Sequence, residues 1–436
     1  MRGITLNFQK GGHILDYGLL FFLLGIFFLP SSLIIGVLFL LPAFIISSFS
    51  REKSFLKDSW NYPYLIFASL IFLSAIFQNH ILTNKYVAIW DPKLSLIGLG
   101  NWIPFIWVFW SSQIYLNSKS KRRLFSLILI AGTFPVLMTG FGQYFLNWTG
   151  PFETLNGLII WYQRPIETPG GLSGLFSNQN YAASWLNFVW PFCIALFLEK
   201  GNNLFKKTTA LGFLISTGLA AFLTFSRNAW LGLLTSIPIV TGKKGIKIIL
   251  VSLILIILIL FFLFSPIFKG ELQNIFRNLL PRKILLEFTN EGYEGLDVTR
   301  IEIYQSALEL IKKNPFFGIG AGSFTEIFFL NTNFWKGHSH NILFELSLSY
   351  GLPAAIIFFI ATSNILYLSG KKIFSNKLTM KISYFDKAFW SALFFFLISQ
   401  LADVQYFDGK ISLITWILIA GLKNIILEKD YKNLVN

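Results

Sequence analysis

The sequence predicts an all-α, polytopic membrane protein with about twelve transmembrane helices and one long extracytoplasmic loop that contains helices. Three observations predict it. Apolar residues fill 54% of the 436 positions and charged residues only 13%, too little polar surface for a soluble chain of this length. The apolar residues arrive in runs. Ile248 to Phe264 holds one serine and no charge, and Ile342 to Leu368 holds Glu345 alone. Such runs approach or exceed the roughly 20 residues that cross the hydrocarbon. Inside lipid the backbone must satisfy its own hydrogen bonds, so these runs are helices. Finally, basic residues alternate from loop to loop.

The spans read as 14–29, 32–48, 62–78, 95–116, 124–146, 180–198, 208–225, 228–242, 248–266, 341–368, 384–402 and 411–427. With the N-terminus in the cytoplasm, the cytoplasmic segments and adjoining span ends hold 23 of the basic residues, from Arg2 and Lys10 through Arg122 to Lys423 and Lys432. The short outer loops hold 5, namely Lys85, Lys93, Arg164, Arg227 and Lys410. The positive-inside rule is met at every turn, with both termini cytoplasmic, and one helix more or fewer would break it for every later loop. The net charge of +15 is therefore a topology signal, and nucleic acid is excluded as a partner. The single cysteine, Cys193, lies within an apolar run. It permits no intrachain disulfide or cysteine metal site, and reads as lipid-facing or core packing. No cleavable signal peptide is evident, because the first apolar stretch runs straight into the second at Pro30 to Ser32.

The chain divides into spans 1–266, an outer loop 267–340 and spans 341–436. The loop carries 8 basic residues, which its length exempts from the charge rule. A loop this long needs structure or function of its own. Thr299-Arg300-Ile301-Glu302 reads as a capping box, followed by Ile301, Tyr304, Leu308 and Ile311 at helical spacing and by a stop at Asn314-Pro315. A glycine-rich turn between aromatics, Phe316 to Phe324, then leads the chain back to the membrane surface.

Several outer-face groups have chemistry to offer. Arg227, in the hairpin Ser226-Arg227-Asn228, is either a snorkelling anchor or an anion site, since a cation at that depth is costly without a partner and the guanidinium fork suits phosphate. Arg300 is either a solvated charge or a second phosphate clamp at a positive helix N-terminus. His338-Ser339-His340-Asn341 places two of the four histidines where the loop enters a span. An imidazole there can take a proton from a hydroxyl, while Ser339 and Asn341 can instead cap the helix. A His-x-His metal pair is the other alternative, though the loop's carboxylates are distant in sequence. Arg164 is a loop charge or a further cation of the anion site, and Asn178-Gln179-Asn180 opens a span as a cap or as support. Asp403 and Asp408 read as solvated loop charges more readily than as catalytic acids. No Walker loop or dinucleotide fingerprint is present.

Four segments together resemble the O-antigen ligase and polymerase superfamily. His340-Asn341, followed by nine residues and then Gly351-Leu352, is similar to its outer-loop signature. Arg300 to Tyr304 through Asn314 to Phe324 resembles its Arg, Pro and Gly-rich segment, Phe225 to Gly232 its Ser-Arg hairpin, and Phe176 to Ala182 its Asn-x-Asn span start. They cover roughly residues 170–360 in the family's order. The resemblance implies a metal-independent, inverting glycosyltransferase without cofactor. It would move a glycan from an undecaprenyl-diphosphate-linked donor to a glycan or lipid-core acceptor, as in lipopolysaccharide assembly, at the outer face of the bacterial inner membrane. Arg227 and Arg300, aided by Arg164, would hold the diphosphate. His340 would activate the acceptor hydroxyl, with His338, Asn341 and Asn180 in support. The segment Gln400 to Asp408, followed by Trp416, also resembles a bicarbonate transporter subgroup of cyanobacteria. Its alternative, an anion transporter, is disfavoured by the histidine pair and by span interiors almost free of charge.

Overall fold

The computed structural model describes residues 13–50, 54–81, 90–166, 170–201, 203–264, 270–279, 298–375 and 383–428. Among the basic residues used for the topology, Arg2, Lys10, Arg51, Lys53, Lys85, Lys377, Lys381, Lys429 and Lys432 lie outside the described residues, as does the loop stretch 280–297. The protein is an all-α membrane protein. Every predicted span falls on helix. Among the described residues eight helical segments are long and apolar enough to cross a bilayer, and the remaining predicted spans fall on shorter or less apolar helices. The described chain forms two compact units, Met1–Thr133 with Val298–Asn436, and Phe134–Asp297.

The first unit contains α1 (His13–Phe28), α2 (Leu33–Ser50), α3 (Tyr62–Ile81), α4 (Lys93–Gly98), α5 (Ile103–Ser112) and α6 (Lys119–Gly132). Its second part adds α13 (Arg300–Lys313), α14 (Ser323–Thr332), α15 (Ile342–Tyr350), α16 (Leu352–Ile373), α17 (Tyr384–Ser399) and α18 (Gly409–Leu427). The core of this unit is aromatic. Trp416 of α18 is fully buried and meets the Tyr64 ring at 5.1 Å, while Trp102 stacks on Tyr406 at 4.5 Å. Tyr406 ties this core to the loop before α18. Its hydroxyl receives the Trp416 indole N–H at 2.8 Å and donates to the Asn101 carbonyl at 2.9 Å.

Arg122 and Lys410, assigned to loops from the sequence, and Lys423, placed at a span end, are buried. Arg122 is 0% exposed and Lys423 1%. The helix carrying Arg122 begins at Lys119 rather than at 124, which brings the guanidinium against Asp386 of α17 and Glu428, both at 2.7 Å. Lys423 pairs with Asp58 and donates to Gln113 Oε1 at 2.7 Å. Buried ions persist only when paired in this way.

The predicted span 341–368 is two helices, α15 and α16, broken at Gly351. The break has a local cause. Gly351 has φ +92°, Pro353 occupies the first turn of α16, and the Leu352 N–H bonds the Pro315 carbonyl at 2.8 Å. The glycine-rich turn packs into the gap, with the Ile319 N–H on the Leu348 carbonyl at 2.6 Å.

The second unit holds α7 (Phe134–Leu146), the hairpin β1 (Phe152–Thr154) and β2 (Ile159–Trp161), α8 (Gln179–Leu198), α9 (Leu204–Leu223), α10 (Arg227–Thr241), α11 (Lys243–Phe264) and α12 (Glu271–Leu279). The strands pair antiparallel, Glu153 opposite Ile160. Leu172, Leu186, Ala220 and Ala229 knit the segment before α8 to α8, α9 and α10.

A Cβ at Gly351 would overlap the Phe316 carbonyl and would sit at a positive φ. Gly351→Ala is expected to destabilise by roughly 1–3 kcal/mol or more, seen as a lowered melting temperature of the detergent-solubilised protein. A neutral melt would contradict the break geometry.

Candidate active site

The site in the first unit is built on α13. Thr299 and Glu302 form the expected capping box: the Thr299 hydroxyl oxygen accepts the Glu302 N–H at 3.4 Å, and the Glu302 carboxylate accepts the Thr299 N–H at 2.7 Å. That cap fixes the start of the helix, and with it Arg300, whose Nη1 donates to the Ala402 carbonyl. One turn on, the Tyr304 hydroxyl reaches the carbonyls of Leu401 at 3.3 Å and His340 at 3.4 Å. The helix ends at Asn314, and Gly318, Gly320 and Gly322 then turn with positive φ. The turn is pinned by Trp90 Nε1 on the Ala321 carbonyl at 2.9 Å and by Ser95 Oγ, which accepts the Ala321 N–H at 3.2 Å.

The histidine segment is held from both sides. Ser339 is fully buried, and its N–H and hydroxyl both donate to Glu345 Oε2, at 3.0 and 2.9 Å. Asn341 caps α15 through its Oδ1, which accepts the N–H groups of Leu343 and Phe344, while its Nδ2 donates to the Leu401 carbonyl at 3.0 Å. Between these anchors His340 adopts φ +55°, a left-handed conformation that costs a β-carbon residue roughly 1–2 kcal/mol. The anchors compensate that cost and turn the imidazole toward the loop before α18. There Nδ1 lies 2.7 Å from Asp403 Oδ1.

Asp403 corrects the sequence reading. It is not a solvated loop charge: it is 7% exposed, and its Oδ1 also accepts the Val404 N–H at 3.1 Å. Burial raises its pKa, but the hydrogen bond from His340 and the nearby His340, His338 and Arg300 charges outweigh burial and hold the carboxyl below its ordinary range. Asp408, by contrast, caps α18, accepting the N–H groups of Lys410 and Ile411. With Asp403 ionised, His340 Nδ1 carries the proton and donates it. Nε2 is left with its lone pair, and it has no hydrogen-bond partner among the described residues. This is how a carboxylate turns a histidine into an oriented base.

His338 packs edge-on against His340, ring centroids 4.4 Å apart, and its Nδ1 accepts the His340 N–H at 3.1 Å. Burial first, then the His340 and Arg300 charges, push its pKa down to about 4 against the pull of Asp403, so the ring is neutral. His338, His340 and Asp403 offer ligand atoms within 4.8 Å of one another, so the carboxylate that seemed distant in sequence is near in space. The hydrogen bonding bears on which His338 nitrogen carries the proton. A neutral His338 that accepts at Nδ1 carries its proton on Nε2, the nitrogen 3.9 Å from Asp403, and that nitrogen then has no lone pair for an ion.

The remaining expected residues belong to the second unit. Arg227 is the exposed first residue of α10. The turn that carries it is held by Asn187 of α8, whose Nδ2 donates to the Asn228 carbonyl at 3.0 Å. A side chain at Gly232 would overlap the Asn187 amide, which is why a glycine follows the Ser-Arg hairpin. Arg164 and Asn180 line one cavity of about 290 Å³ at the start of α8. The cap of that helix is Asn178, whose Oδ1 accepts the Asn180 N–H at 2.6 Å. The Leu172 N–H bonds the Leu223 carbonyl at 2.9 Å, joining the strip beside this cavity to the end of α9, just before the Arg227 hairpin.

Residues 211–359 match the family model described as O-antigen ligase, Wzy_C. That stretch, about a third of the chain, is similar to the O-antigen ligase family. The match supports the superfamily resemblance and contains three of its four segments, Phe225 to Gly232, Arg300 to Phe324 and His340 to Leu352, while Phe176 to Ala182 lies before it; the match is to a ligase model and not to a transporter. The O-antigen ligase match contains Arg227, Arg300, His338 and His340, whereas Arg164, Asn180 and Asp403 lie beyond its limits. No curated protein matches the chain.

The depressed His338 pKa has a consequence for stability. Between its ordinary value of 6.5 and about 4, the unfolded chain binds a proton that the folded chain refuses, so stability falls as pH drops through that window and levels off below it. Melting curves from pH 7 to 5 are expected to show this slope in the wild type and to lose it in His338→Gln. An unchanged slope in the variant would show that His338 is not the group responsible.

Proposed function

We propose that the protein is a membrane glycosyltransferase that moves a glycan from an undecaprenyl-diphosphate-linked donor onto an acceptor hydroxyl, at the outer face of the bacterial inner membrane. The observation that carries the reading is the Asp403–His340 pair, with Arg300 beside it and the O-antigen ligase match covering His340 and Arg300. His340 Nε2 takes the proton of the acceptor hydroxyl. The hydroxyl oxygen bonds the anomeric carbon as the bond from that carbon to the phosphate oxygen breaks, and the lipid diphosphate leaves with its electron pair. Attack opposite the leaving group inverts the anomeric centre. Asp403 orients the imidazole and stabilises its cation, and Arg300 supplies positive field for the leaving group. Protein cations take the place of a metal ion in this scheme. Arg227 and Arg164, both in the second unit, are the further cations proposed for the donor's diphosphate. The positive-inside pattern supports cytoplasmic termini and an outer-face site.

Membranes supplied with lipid-linked donor and acceptor test the scheme. His340→Ala is expected to lower the transfer rate by about 10²–10⁴-fold. Asp403→Asn keeps the shape but lets the ring adopt the wrong tautomer, and is expected to cost at least about 10²-fold in kcat with little change in KM. Arg300→Ala is expected to lower kcat as well, because its field acts on charge that develops during transfer. Full transfer by His340→Ala would refute the assignment.

A further inference from the structure

We infer that the cavity at the start of α8 is a subsite for a hydroxyl-rich sugar ring, with Arg164 at its edge. The inference takes its ligand class from the glycan-transfer reading above. The geometry, however, belongs to the second unit alone. The cavity measures about 290 Å³, close to the lower end of small-molecule pockets and suited to one sugar ring rather than to a lipid tail. Its lining is dominated by neutral polar groups: Gln143, Ser177, Asn178, Gln179 and Asn180, with one cation, Arg164. Amides and hydroxyls both donate and accept, which matches sugar hydroxyls, whereas a diphosphate calls for several cations.

The lining is also built in advance. Gln143 is 3% exposed and uses its whole amide as a brace. Its Nε2 donates to the Arg164 carbonyl at 2.8 Å and to Ser173 Oγ at 3.0 Å. Its Oε1 accepts the N–H groups of Ser173 and Gly174 at 2.9 and 3.0 Å. Asn178 and Gln179 are each committed through the oxygen only: Asn178 Oδ1 caps α8, and Gln179 Oε1 accepts the Gly171 N–H. Their NH2 groups, the Ser177 hydroxyl and the Arg164 guanidinium carry no hydrogen bond among the described residues. The wall therefore fixes the Asn178 and Gln179 amides through their oxygens and leaves their NH2 groups, with the Ser177 hydroxyl and Arg164 beside them, available to a ligand. Arg164 at the rim suits a phosphate attached to the sugar or a carboxylate on it.

The full chain in nanodiscs, probed by saturation-transfer NMR with methyl glucoside, N-acetylglucosamine and pyrophosphate, tests this. The double variant Asn178→Asp with Gln179→Glu keeps both accepting oxygens and removes both NH2 donors. Sugar binding is expected to weaken roughly tenfold in it, while the melting temperature stays within a few degrees. Ser177→Trp, which fills the cavity, should abolish the sugar signal. Absence of sugar binding in the wild type, with or without pyrophosphate binding, or sugar binding unmoved by both variants would each overturn the subsite. His340→Ala separates the two readings. It should stop transfer and leave sugar binding unchanged, so sugar binding without any wild-type transfer would sink the enzyme and spare the subsite.

Discussion

The hydrogen bond between His340 and Asp403 is the constraint around which the first unit is arranged. A carboxylate that is nine-tenths buried is costly unless donors surround it. Here the donors come from three places in the sequence: the histidine segment, the backbone of the loop before α18, and the field of Arg300 at the start of α13. Each is fixed by its own local device. The capping box sets Arg300, the Ser339–Glu345 and Asn341 contacts set the histidine backbone, and the stacked Trp102, Tyr406 and Trp416 hold the loop. The strained conformation of His340 persists because these devices over-determine it.

The helical break at Gly351 serves the same end. One continuous helix from 342 to 373 would leave no gap for the glycine-rich turn, and the turn brings α13 and α14 back onto α15. Gly318, Gly320 and Gly351 all adopt positive φ, and their small size lets backbone meet backbone. The resemblance of His340-Asn341 with Gly351-Leu352 after nine intervening residues thus acquires a physical content. The Asn starts a short helix, and the Gly ends it where the turn must dock.

Much of this was legible in the sequence. The spans follow from apolar runs, and the Thr299 box, the Asn314 stop and the glycine turn follow from local rules that act over a few residues. Asp403 was not legible, because nothing local distinguishes a solvated loop acid from one that meets a histidine 63 positions away. The same limit explains Arg122 and Lys423: basic residues beside a span or at its end read as cytoplasmic charges, and only tertiary contacts reveal that they are enclosed. The break at Gly351 was hidden by a run that stays apolar on both sides of the glycine.

Those enclosed cations bear on how the chain is assembled in the bilayer. Arg122 is made 264 residues before Asp386, and Glu428 is made later still. Until α17 and the C-terminal end of α18 are threaded in, the guanidinium has neither acidic neighbour and must remain near the headgroups. Insertion of α17 and α18 is therefore the step that locks α6 in place, since until then the Arg122 charge is unneutralised by either acid.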